Sequence, residues 1–129
     1  MNNEKTADAP PRKLSPRALR RADFLDEIKK IVCQDRNSQH GEAEDNFQTI
    51  AEFWNTFLTR RHGFSGRITS LDVADMMVLF KIARVAANPL HGDTRKDIGG
   101  YAACGAGIAM EKSHYEDADP DLVPMGVKQ

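Results

Sequence analysis

Residues Thr69 to Ala87, TSLDVADMMVLFKIARVAA, decide the fold of this chain. Leu71, Val73, Ala74, Met76, Met77, Val78, Leu79, Phe80, Ile82, Ala83 and Val85 are too many apolar side chains for a single stripe. A helix that is apolar nearly all round is a buried one, so the pattern predicts a central buried helix over about 69–87 with the remaining elements packed around it. Thr69 and Ser70 are N-cap residue types at its start. Asn88-Pro89 ends it, because proline disfavours helical geometry in the residue before it. Four charges interrupt the apolar cylinder: Asp72 and Asp75 near the start, Lys81 and Arg84 near the end. Each has the sign that suits the helix dipole at its position, and charges on a central helix need partners.

Upstream of this stretch, Phe47, Ile50, Ala51, Trp54, Phe57 and Leu58 keep a helical period, and Glu42, Glu44 and Asp45 favour a helix start there. Trp54, Phe53 and Phe57 have core spacing. Thr59 to Arg67, TRRHGFSGR, has the composition of a basic connecting loop. Further back, Ser15-Pro16 forms an N-cap and first helical position, and Leu19, Ala22, Leu25, Ile28, Ile31 and Val32 carry a first helix to about Asp35. Downstream, Asn88 to Gly92 is a turn, Asp93 or Thr94 is the expected cap, and a fourth helix runs towards Glu111. Gly99, Gly100, Gly105 and Gly107 weaken that helix by about 1 kcal/mol each relative to alanine and suggest close approach by its neighbours. The expectation is an all-α, four-helix bundle-like single domain over 15–111, flanked by a mobile leader (1–14) and an acidic tail (112–129). A bundle this small leaves apolar and glycine-rich faces needing cover, which predicts a homo-oligomer.

The 129 residues carry a net charge of -1, with 40% hydrophobic and 29% charged residues. One modest core fits that composition, and general nucleic-acid binding lacks the basic excess it needs. An excess of positive charge does gather locally, at Lys5, Arg12, Lys13, Arg17, Arg20 and Arg21, either to touch an acidic partner or to keep the leader solvated. Cys33 and Cys104 have neither disulfide-framework nor zinc spacing, and no apolar run reaches a membrane span or forms a signal peptide. A reducing cytoplasm is the expected location.

Asp93 and Asp97 stand one turn apart on one helix face, followed by Tyr101. Magnesium takes oxygen ligands and bridges carboxylates to phosphates, so acids on facing helices are suitable ligands. Glu44, Asp75, Asp93 and Asp97 are the candidate metal set, and Lys81 and Arg84 the candidate phosphate contacts. Asp93, Asp72 and Glu42 equally suit capping. Asp75 and Asp97 fall among apolar neighbours, where either an ion pair with Lys81 or Arg84 or a ligand site satisfies them. His40, His62, His91 and His114 have little catalytic context, and no nucleophile motif, P-loop or GxGxxG is present. No catalytic residue is assigned.

The segments HGEAEDNFQTIAEFWNTFL and ITSLDVADMMVLFKIARVAANPLHGDTRKDIGGYAACGAGIA carry a resemblance over about Asp23 to Ala109. His40-Gly41 with Glu44, Asn46 and Phe47, the Lys81-Ile82-Ala83-Arg84 helix, Asn88-Pro89 with His91, and Asp93 with Asp97 and Gly100-Tyr101 resemble a family of small phage and prophage proteins of unknown function. The third and fourth helices are also similar to the all-α nucleoside triphosphate pyrophosphohydrolases of the MazG type. That resemblance implies a helical oligomer whose acids hold magnesium while water attacks a nucleotide phosphate. The EExxE motif of those enzymes is absent, with Glu42-Ala43-Glu44-Asp45 in its place. Together these features suggest a phage-type nucleotide-handling protein, hydrolytic if the acids bind magnesium. The alternative is a non-catalytic interaction protein that binds a host protein or sequesters a nucleotide signal.

Overall fold

A computed structural model describes residues 12–35 and 42–118, with side chains through residue 34 and from 42 to 112. Its helices are α1 (Pro16–Lys30), α2 (Ala43–His62), α3 (Ser70–Ala87) and α4 (Gly92–Ala118), and a π-helical turn, Ile31–Asp35, continues α1. The described residues form no strand, as expected. Residues 1–11 of the leader, the His40-Gly41 turn, the side chain of His114 and the tail from residue 119 lie outside the described residues.

The helix starts obey the local chemistry. Ser15 Oγ accepts the Ala18 N–H at 3.1 Å, with Pro16 in the first turn. At α3, Thr69 Oγ1 accepts the Asp72 N–H at 3.2 Å, and the Asp72 carboxylate accepts the Thr69 N–H at 2.8 Å. Asp72 is thus half of a capping box, which satisfies two backbone donors the helix leaves unpaired.

Three boundaries differ from expectation. Helix α4 begins at Gly92, so Asp93 and Thr94 lie inside its first turn instead of capping it. The basic segment after Thr59 is helical through His62, because cations suit the negative C-terminal end of a helix. The stop is Gly63, whose φ of 62° is left-handed and costs a glycine no Cβ clash. Helix α4 likewise continues to Ala118, beyond the expected end at Glu111.

Helix α4 packs most extensively against α3, α3 also packs on α2, and α1 docks chiefly on α4. The core is Phe47 and Ala51 from α2, Val73 and Ala74 from α3, and Cys104 and Ile108 from α4, with Phe47 and Tyr101 rings 6.0 Å apart. Two glycines of α4 make these approaches possible. Ile28 Cδ1 of α1 occupies the space a Cβ on Gly99 would need, and a Cβ on Gly105 would meet the Ala74 Cβ at 3.4 Å.

The expected all-round burial of the central helix is not found in a single chain. Val73 and Ala74 are fully buried, but Leu79 is 66%, Phe80 50% and Ile82 49% exposed. Phe53 and Phe57, expected in the core, are 70% and 62% exposed, while Trp54 is half-buried. Among the described residues only α4 and α2 cover α3 substantially, so one of its sides has no neighbour among them.

Asn55 fixes the turn between α2 and α3. Its amide donates to the Ile68 carbonyl at 2.8 Å and its carbonyl accepts the Ile68 N–H at 2.7 Å. Asn55→Ala strands both backbone groups in a half-buried place and is expected to cost about 1–3 kcal/mol. Urea unfolding reads this directly, and an unchanged midpoint would remove Asn55 from the account of the turn.

Candidate functional site

The charged residues of α3 and α4 meet along the seam between the two helices. Lys81 Nζ lies 2.9 Å from Asp97 Oδ2, with Lys81 14% and Asp97 47% exposed. The Arg84 guanidinium and the Lys81 ammonium stand 5.1 Å and 5.7 Å from the centre of the ring of half-exposed Phe80, within cation–π range. Asp93, one turn before Asp97, is 3.8 Å from Lys96 Nζ, which also pairs with Glu27 of α1. The hydrogen bond and charge of Glu27 hold the Lys96 ammonium above the usual lysine pKa, with Asp93 adding to the effect. Stability from that raised value is present at neutral pH and lost as alkaline pH rises through it.

The other two candidate acids lie farther along α4. Asp75 Oδ1 is 3.9 Å from where a Cβ on Gly105 would stand, and Glu44 Oε1 is 3.5 Å from the matching point at Gly107. Gly105 is eight residues beyond Asp97, about 12 Å along the helix at 1.5 Å per residue. The single chain therefore places Asp93 and Asp97 near the start of α4, and Asp75 and Glu44 midway along it. Among the described residues, no three of His, Cys, Asp or Glu come close enough together to hold a metal ion. Lys81 stands where a cation bound to Asp97 would stand. His91, set aside from the sequence, has its Nδ1 3.1 Å from Thr94 Oγ1, a contact within the turn that opens α4.

A second charged feature was only partly visible from sequence. Arg17, Arg20, Arg21, Phe24 and Leu25 of α1 line a groove of about 660 Å³ together with Arg95 of α4. The local basic excess drew attention to the first three arginines. Their i, i+3, i+4 spacing, continued by Phe24 and Leu25, is the signal that makes them one face.

The sequence model of a family described as "Domain of unknown function (DUF6378)" matches residues 23–109. This chain belongs to the DUF6378 family. The matched span contains α2, α3 and the seam residues of α4, and begins within α1 after the three arginines. The "Gene 55 protein" of Mycobacterium phage D29 is 34% identical over 108 residues, covering 81% of this chain and 68% of that protein. The "Gene 55 protein" of Mycobacterium phage L5 is 38% identical over 106 residues, covering 82% of this chain and 60% of that protein. Those printed names state no activity. They support the phage-type family, and none of these matches carries the MazG-type likeness. No solved structure matches the DUF6378 chain. No helix among its described residues is long and apolar enough to cross a membrane.

Proposed function

We propose that the DUF6378 chain is a phage-type nucleotide-handling protein that works as a homo-oligomer, with Lys81 and Arg84 contacting phosphate. The observation that carries this reading is the pair of cations within cation–π range of half-exposed Phe80 on the α3–α4 seam. Such a cluster offers positive charge for phosphate oxygens and a ring face for a base.

In the hydrolytic form, Glu44, Asp75, Asp93 and Asp97 hold magnesium and a metal-activated water attacks the nucleotide phosphate. Two rearrangements are then required: Lys81 releases Asp97, and a second copy brings the two separated acid pairs together. The Lys81–Asp97 ion pair favours the other form, in which the chain binds without hydrolysis, sequestering a nucleotide or engaging a host protein.

Asp97→Asn separates the forms. A hydrolase loses magnesium-dependent turnover, whereas a sequestering protein keeps or gains nucleotide affinity because Lys81 is freed. Scanning fluorimetry against nucleotides with and without magnesium reports binding, since ligand at a hundred times its Kd stabilises by about 2.7 kcal/mol. No shift with any nucleotide, together with recovery of one stoichiometric host protein, rejects nucleotide handling in favour of a protein partner.

Self-association is part of the proposal. Trp54, Phe57, Leu58, Ile68 and Met76 line an apolar groove of about 150 Å³ between α2 and α3. Leu79 continues that surface along α3, and Phe53 along α2. Helix α2 begins with Glu44 and Asp45 and ends with Arg60, Arg61 and His62. Two copies paired antiparallel across a two-fold axis set each acidic end against the partner's basic end. That complementarity makes a second copy the occupant of the face.

A further inference from the structure

Two oppositely charged stretches of the chain have a complementary order. Helix α1 reads basic and then apolar, Arg17, Arg20 and Arg21 followed by Phe24 and Leu25. The tail over 115–127, YEDADPDLVPMGV, reads acidic and then apolar: Glu116, Asp117, Asp119 and Asp121 precede Leu122, Val123 and Met125, with no cation among them. The α1 stretch forms one wall of the open groove whose other wall is Arg95 of α4, and the lining of that groove is mostly apolar. Arginine stems contribute to such a lining while their charged heads stay in water, which suits a peptide with both acids and apolar side chains. Around α1, Arg17 and Arg21 lie within about 20° of Ile28, which faces α4, and Phe24 and Leu25 within about 60°. Asp23 and Asp26 lie about 140° and 160° from Ile28, on the outer side of the helix, and Arg20 stands between the two sides at about 80°. Among the described residues no carboxylate is within ion-pair distance of these four arginines.

We infer that this groove receives the acidic tail of a second copy, its acids against the arginines and Leu122-Val123 against Phe24 and Leu25. The spacings agree. From the middle of the arginines to Phe24-Leu25 is about 8 Å along a helix, and from Asp119 to Leu122 is about 10 Å in an extended chain. The leader is a poorer match, because residues 1–11 set Lys5 against Glu4 and Asp8 and contain no apolar run. A copy's own tail does not reach. From Arg95 to Ala118 helix α4 rises about 35 Å at 1.5 Å per residue. Three extended residues beyond Ala118 advance at most about 11 Å, which leaves Asp119 and Asp121 far from their own groove. A contact of this size is well below the area that a stable dimer needs. Tail docking therefore adds to the association proposed for the α2–α3 face, neither replacing it nor depending on it.

The test is fluorescence anisotropy of a labelled peptide of residues 115–127 titrated with the full chain. Arg17→Glu/Arg21→Glu reverses the charge of the groove, Leu25→Asp spoils its apolar floor, and Arg60→Glu/Arg61→Glu reverses an equal charge at the end of α2. Leu25 is exposed, and acids near the start of α1 suit its dipole, so both groove variants are expected to keep their circular dichroism spectra. The expected result is peptide binding that falls about tenfold or more in Arg17→Glu/Arg21→Glu, where ion pairs become repulsions, and stays near wild type in Arg60→Glu/Arg61→Glu. Leu25→Asp also weakens it. A peptide carrying Glu116→Lys, Asp117→Lys, Asp119→Lys and Asp121→Lys is expected to bind Arg17→Glu/Arg21→Glu more tightly than wild type, a reversal that damage to the fold does not produce. The inference is overturned if the wild-type chain does not bind the tail peptide, if a scrambled peptide of the same composition binds equally, if Arg60→Glu/Arg61→Glu loses as much, or if a peptide of residues 1–11 binds more tightly. Binding seen only with a full chain carrying Asp119→Lys/Asp121→Lys would mean that each groove is filled by its own tail, and would overturn the assignment to a second copy. The peptide binds Phe57→Glu/Leu79→Glu as it binds wild type, so this inference and the α2–α3 reading fail separately.

Discussion

Phe47→Ala is expected to lower the melting temperature by about 12 °C or more. Phe47 is 5% exposed and meets the Tyr101 ring, within a cluster of six buried residues among those described. Removing a buried phenylalanine costs about 3–5 kcal/mol, partly from lost burial and partly from the cavity left behind. For a domain of this size each kcal/mol moves the midpoint by roughly 4–8 °C. The neighbours Ala51, Val73 and Ala74 are too small and too confined to refill the space. Leu90→Ala is the control: Leu90 is 91% exposed, and its loss is expected to change stability by no more than about 0.5 kcal/mol. Thermal unfolding followed by circular dichroism decides the matter, and similar midpoints for the two variants would mean that Phe47 is not the core residue described.

The second large effect concerns association. Wild type is expected to sediment as a dimer, and Phe57→Glu/Leu79→Glu as a monomer with unchanged helix content. Both side chains are more than half exposed in the single chain, so a glutamate at either position meets water and leaves the fold intact. Within a dimer the same carboxylates lie in an apolar contact with no cation assigned to them, and such burial is strongly unfavourable. Hot-spot losses of 2 kcal/mol or more correspond to a fall of about 30-fold or more in association constant. Sedimentation velocity at several concentrations measures it. A wild-type chain that remains monomeric at all of them would leave the α2–α3 face without its second copy.

Much of the architecture was legible in the sequence because the decisive signals are local. Ser15-Pro16, Thr69 with Asp72, and Asn88-Pro89 act within a few residues of themselves, and each marks a helix boundary. The glycines of α4 announced close approach, and Gly99 and Gly105 receive Ile28 and Ala74. The end of α2 was misread because arginines without apolar neighbours resemble a loop, although at a helix C-terminus they are favourable. Apolar density on α3 was equated with burial, but density does not tell whether the covering surface comes from the same chain. The site was less readable still. Spacing placed Asp93 and Asp97 on one face, while the Lys81 partner, the displacement of Asp75 and Glu44 along α4, and the arrival of Arg95 opposite α1 depend on how separate helices pack.

The docking of α1 on α4 has a consequence for the molecule's internal hierarchy. Ile28 is the one buried residue α1 contributes, lodged at the gap left by Gly99. Helix α1 is therefore a cooperative unit of its own, able to come away at a lower free energy than the α2–α3–α4 body requires to unfold. Because one wall of the arginine groove is α1 and the other α4, detachment dissolves the groove. The ion pair between Glu27 and Lys96 acts as a clasp, tying the least anchored of the described helices to the longest one.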